Sequence, residues 1–171
     1  NYKGINLMQK ITPFLWFDNN AEEAVNFYTS IFDNSGISNI TRYNEESAKA
    51  SGQKSGTAMT IAFKLEGQIF TALNGAPHFK INPSISFFVY FESEDKINYL
   101  YNKLSERGLV MMPLDKYHWS PKYAWVQDKF GLSWQLDIDK INNQQKILPA
   151  FLFVNEKNLR LKEAVTYYNS L

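Results

Sequence analysis

Two periodicities alternate along the chain, one of two residues and one between three and four, and their order defines the elements. Over residues 57–65, Thr57, Met59, Ile61, Phe63 and Leu65 alternate with Ala58, Thr60, Ala62 and Lys64, which is the period of a strand with one buried face. Glu66-Gly67 predicts a tight hairpin turn into a second strand over 68–73. Upstream the period changes. Ala21, Ala24, Val25, Tyr28, Ile31 and Phe32 fall on one stripe, the spacing of an amphipathic helix. Asn20 and Glu23 are placed as a capping box at its start. Residues 11–17 precede this helix as an apolar strand, residues 37–44 follow it as another, and 45–56, rich in Ser, Lys and Gly, read as a mobile loop.

The same order then recurs. Residues 84–92 predict a strand, and Ser93-Glu94-Asp95 open a helix with acidic residues where the helix dipole favours them. Ile97, Leu100, Tyr101 and Leu104 form its stripe, and Gly108 marks its end. Strands over 109–113, 123–127 and 133–138 complete the set. Each half is strand, helix, strand, strand, strand. The pattern predicts an α+β fold of two βαβββ modules, about 10–80 and 81–139, after a poorly ordered leader over 1–9.

A polar linker follows the second module, and the chain then repeats its own opening. Pro149-Ala150-Phe151-Leu152-Phe153 echoes Pro13-Phe14-Leu15-Trp16-Phe17, and the segment from Glu163 to Leu171 echoes that from Glu23 to Ile31. Residues 140–171 are therefore expected to form a linker with an extra strand and helix, and that helix either docks on a partner subunit or on the chain's own sheet, or is a disordered or truncated remnant.

Composition narrows the function classes. With 18 basic and 17 acidic residues spread along 171, net charge is +1 and no basic face recommends nucleic acid. No apolar run is long enough to span a membrane. The absence of cysteine removes disulfides and thiolate chemistry, as fits a reducing cytoplasm. Phosphate loops, serine-nucleophile elbows and zinc-ligand spacings are missing from the sequence.

The segment 123–138 carries the most specific information, two aromatic-rich strands joined by Asp128-Lys129-Phe130-Gly131. Asp128 is expected to cap that turn through the local backbone. Together with the opening Ile-Thr-Pro-Phe-Leu-Trp-Phe, the helix Ala-Glu-Glu-Ala-Val-Asn-Phe-Tyr and the segment from Leu73 to Phe79, it resembles the PhnB-like branch of the vicinal oxygen chelate superfamily, the glyoxalase, bleomycin-resistance and extradiol dioxygenase group. The resemblance covers about 10–139. It implies mixed, curled sheets around a shared cavity, often in a homodimer. Some members carry a demethylubiquinone methyltransferase label, but nothing in this sequence resembles a glycine-rich site for S-adenosylmethionine, and no cofactor is expected.

Superfamily enzymes use His, Gln or Glu on the first, fourth, fifth and eighth strands to hold a divalent metal. The positions here offer Thr12, Pro13, Asn74, Ser84, Ser86 and Gln135. Amides are poor ligands without carboxylates or imidazoles beside them, so Asn74 and Gln135 are the only metal candidates and are read as cavity-wall groups. His78, in the loop between modules, is the candidate acid or base. If Leu15 and Phe17 pack under the helix, Phe14 and Trp16 face the cavity. With Asn74, Phe79, Trp119, Trp125 and Gln135 they are expected to wall a site for a small aromatic or amphipathic ligand. Two other readings stay open: an enzyme for a small carbonyl, phenolic or phosphonate-type substrate, and an assembly module docking through its C-terminal helix.

Overall fold

The computed structural model describes residues 11–138 and 146–170. The expected leader over 1–9 and most of the expected linker lie outside the described residues. The first module runs β1 (Phe14–Phe17), α1 (Ala21–Ile31), β2 (Gly36–Arg42), α2 (Glu45–Ser51), β3 (Ala58–Leu65) and β4 (Gln68–Asn74). The second runs β5 (Ile85–Phe91), α3 (Glu94–Ser105), β6 (Leu109–Tyr117), β7 (Ser120–Gln127) and β8 (Ser133–Ile138). An extension adds β9 (Ile147–Phe151), a 3-10 turn at Asn155–Arg160 and α4 (Leu161–Asn169).

The strands form two mixed sheets, ordered β1-β4-β3-β2 and β6-β7-β8-β5-β9. In each module the first strand lies parallel to the last, β1 on β4 and β5 on β8, and the remaining neighbours within the module are antiparallel. Glu66 and Gly67, at φ 47° and 85°, turn β3 into β4 with both central residues left-handed, as a type I′ hairpin requires.

Three local expectations change. Asn20 makes no side-chain cap; the Ala21 amide instead donates to Asn74 Oδ1 on β4 at 2.9 Å, so a neighbouring strand satisfies the helix start. Asn44, read as the end of a strand, forms a true capping box with Ser47 and opens α2 in the segment read as a loop, and Gly52 closes it in the left-handed conformation at φ 69°. After α3 the left-handed residue is Arg107 at φ 60°, not Gly108. Gly108 is there because a Cβ would come within 2.4 Å of the Gln127 carbonyl.

One apolar cluster serves both sheets. Phe70 meets Phe87 at 5.3 Å between ring centroids, and Phe32 meets Trp134 at 5.2 Å. Leu15 and Phe17 are buried as the alternation predicts. The modules thus join through the faces carrying Leu15, Phe70, Phe87 and Trp134. The opposite faces, with Trp16 on one sheet and Gln135 on the other, point away from the common core.

Candidate functional site

The candidate residues separate into three places. Phe14, Trp16 and Phe79 line a crevice of about 320 Å³ that runs between β1 and the β5–β9 edge. Ile85 and Phe87 of β5 and Pro149 and Phe151 of β9 form its other side, and Lys80, Asn82 and Ser84 bring polar groups to it. Neither Trp119, Trp125, Gln135 nor Asn74 belongs to it.

Trp16 is the fixed point of this crevice. Its indole Nε1 donates to the Ala76 carbonyl at 2.9 Å, and Phe79 meets its ring edge-on at 5.1 Å. The ring lies so close over Gly75 that a Cβ there would stand 2.3 Å from it, which explains a glycine at the end of β4. Phe79, 67% exposed, projects from the connector between modules. His78 sits beside it, exposed, with its amide bonded to the Ala76 carbonyl at 2.9 Å. A wall with two exposed rings and one anchored indole suits a flat apolar ligand.

The second place is the outer face of the β7–β8 sheet. Gln135 Oε1 accepts from the Tyr123 hydroxyl, and Gln135 Nε2 donates to Ser86 Oγ at 2.8 Å. Trp125 Nε1 donates to Ser133 Oγ at 2.7 Å. Trp119 occupies the two-residue turn of the β6–β7 hairpin and stacks on Tyr117 at 5.0 Å. The Tyr123 hydroxyl is pushed up, first by burial, then by the Asp137 charge and by Tyr117. Asp137 accepts from Ser120 Oγ at 2.5 Å.

The third place is inside the core. Asn74 is fully buried: Oδ1 takes the Ala21 amide, Nδ2 donates to the Ala58 carbonyl at 2.8 Å, and its own carbonyl accepts from the Tyr43 hydroxyl at 2.6 Å. Expected as a cavity-wall group, it is a cap and strand tie instead. Both amides named as metal candidates therefore have both side-chain polar atoms engaged, and no group of three His, Asp or Glu side chains able to hold a metal occurs among the described residues. The donor set does not fit a divalent ion.

Sequence reasoning missed half of Asp128's role. Its Oδ1 accepts from the amides of Phe130 and Leu132 at 2.8 and 3.0 Å, the expected turn cap. Its Oδ2 accepts from Tyr28 Oη and Trp134 Nε1, both at 2.8 Å, which ties α1 of one module to β8 of the other. Burial pushes this carboxyl up, and the four donors only partly oppose that. Tyr28 is raised well above its ordinary range by burial and by the Asp128 charge.

Two mixed sheets of this topology, joined through one core, define a protein of the glyoxalase/bleomycin-resistance fold. Its sequence matches the profile of the family described as 3-demethylubiquinone-9 3-methyltransferase over residues 9–137. The chain belongs to that PhnB-like family. A PhnB protein from Bacillus cereus is 42% identical over 77% of this chain and 100% of its own, with a TM-score of 0.71. Two more distant structures share the fold: PA1353 from Pseudomonas aeruginosa, 20% identical over 77% of this chain and 98% of its own with a TM-score of 0.64, and a glyoxalase-related enzyme from Fulvimarina pelagi, 10% identical over 82% and 98% with 0.52. No curated protein matches.

Proposed function

We propose that this PhnB-like chain binds a small aromatic or amphipathic molecule in the crevice between β1 and the β5–β9 edge. The observation that carries this reading is the crevice itself, about 320 Å³ and walled by Phe14, Trp16, Phe79 and Phe151 with Lys80 at its margin. The volume lies at the small end of the usual range for ligand sites, about 300–1,000 Å³. Lys80 and Asn82 are the polar handles that would orient the ligand's polar end.

The metal-dependent enzyme reading has less support, because Asn74 and Gln135 spend their amide atoms on protein partners. The methyltransferase description of the family is not carried over, since the glycines stand singly along the chain and build no loop for S-adenosylmethionine.

The test is calorimetric titration with anilinonaphthalene sulfonate, a flat amphipathic anion. Trp16→Ala and Phe79→Ala should each weaken binding about tenfold, the order expected for losing one aromatic contact, while Trp125→Ala leaves it unchanged. Full affinity in a folded Trp16→Ala protein refutes the crevice as the site.

A further inference from the structure

One wall of the crevice comes from outside the module pair. Pro149 and Phe151 of β9 line it, whereas the family match ends at residue 137 and the Bacillus cereus relative is covered over its whole length by 77% of this chain. The backbone holds β9 on β5. Leu148 pairs with Phe88 and Ala150 with Ser86, and the Leu152 amide donates to the Ser84 carbonyl at 2.9 Å. Alternation then puts Ile147, Pro149 and Phe151 on one face. Ile147 is fully buried in the common core, and the same face opens into the crevice at Pro149 and Phe151.

The internal repeat shows what is unusual about this wall. Phe151 corresponds in it to Leu15, and Tyr168 to Tyr28. Leu15 is 6% exposed and Tyr28 is fully buried, whereas Phe151 is 54% exposed and Tyr168 56%. The extension keeps a contact between its strand and its helix, because the Phe151 and Tyr168 rings lie parallel within 6° at 5.8 Å between centroids, an offset stack. It leaves both rings open to solvent. A ring kept at the surface where its counterpart is core is available for a ligand to cover. On the β1 side of the crevice stand Trp16, anchored to the Ala76 carbonyl, and Phe79.

We infer that Phe151 is the specificity-determining residue of the crevice and Tyr168 its positioning residue, so that the extension selects a flat fused-ring anion over a flexible amphipathic anion. This rests on the crevice being the binding site. A rigid ring system meets aromatic side chains on both sides at once and has few bonds to freeze, while an alkyl chain must order several and gains nothing from ring contacts. Lys80 serves the anionic end of either ligand, so charge does not discriminate between them. The stack on Tyr168 restricts the orientations open to the half-exposed Phe151 ring and presents it ready for contact.

Calorimetric titration with two probes, anilinonaphthalene sulfonate and octyl sulfonate, tests this, and the ratio of their affinities is the quantity read. Phe151→Leu keeps an apolar side chain and installs the residue of the β1 counterpart. It should weaken the naphthalene probe about fivefold, the order of one aromatic contact, and leave octyl sulfonate unchanged. Tyr168→Ala should lower the ratio in the same direction, and Tyr168→Phe, which preserves the stack, should retain it. An unchanged ratio in Phe151→Leu overturns the inference, whether both affinities are kept or both fall together. An unchanged ratio in Tyr168→Ala overturns the positioning role. Trp16→Ala separates this failure from that of the site itself. If it weakens the naphthalene probe while Phe151→Leu does not, the crevice stands and only the specificity assignment falls; if neither variant changes binding, both readings fall.

Discussion

Asp128 shows what one residue can and cannot announce. Its place in Asp-Lys-Phe-Gly marks a turn cap, because Asp bonds its own following amides there, and two of its four donors are of that kind. The other two come from Tyr28, 100 positions away, and from Trp134, and no local pattern encodes them. Asp128→Asn should cost about 1–3 kcal/mol in urea unfolding, since the new amide N–H₂ would face the Trp134 donor and leave it unpaired. The pH dependence has a definite sign. The folded-state pKa is raised, so the folded protein holds this proton more tightly than the unfolded chain; the contribution is complete below the unfolded value and falls as pH rises through the folded one. The stability gap between native protein and Asp128→Asn should therefore narrow from acid toward neutral pH, and a gap that widens contradicts it. Gly75 makes a second residue-scale case. Gly75→Ala should displace the Trp16 ring and destabilise by about 1–3 kcal/mol, read as a shift in the urea midpoint.

At the scale of elements, periodicity located the principal strands and the helices α1 and α3, because each buries one face and that face is written in the spacing; α4, which buries no residue, was legible as the echo of α1. What failed were the ends. Asn20 has the right residue type for a cap, yet the α1 amide is taken by Asn74, a tertiary contact that overrides the local preference. The short α2 escaped because a seven-residue helix with one buried side chain, Ala48, has no stripe to read; only Asn44 with Ser47 could have signalled it. Asn74→Ala would orphan the Ala21 amide and the Ala58 carbonyl in the core. We expect a loss of about 2–4 kcal/mol in thermal or urea unfolding. A loss under half of that would mean that water or another donor replaces the amide.

The whole molecule is where residue patterns give least. The alternation correctly put Phe14 and Trp16 on the face opposite Leu15 and Phe17, and Gln135 opposite Trp134. It carries no information on which faces the modules turn toward each other, and they join through the buried faces. The expected wall therefore splits, with Trp16 and Phe79 in the crevice and Trp125 and Gln135 on a separate outer face. The extension docks in part on the chain's own sheet, as β9, while α4 buries none of its residues. The internal echo made its elements legible, but not that β9 would choose the β5 edge. The most direct test of the account is an amide and indole NMR correlation spectrum during titration with small aromatic fragments. Shifts at the Trp16 indole and at residues 79–82, with the Trp125 indole unmoved, are the predicted result; shifts centred on Trp125 and Gln135 would place the site on the outer sheet face and contradict it.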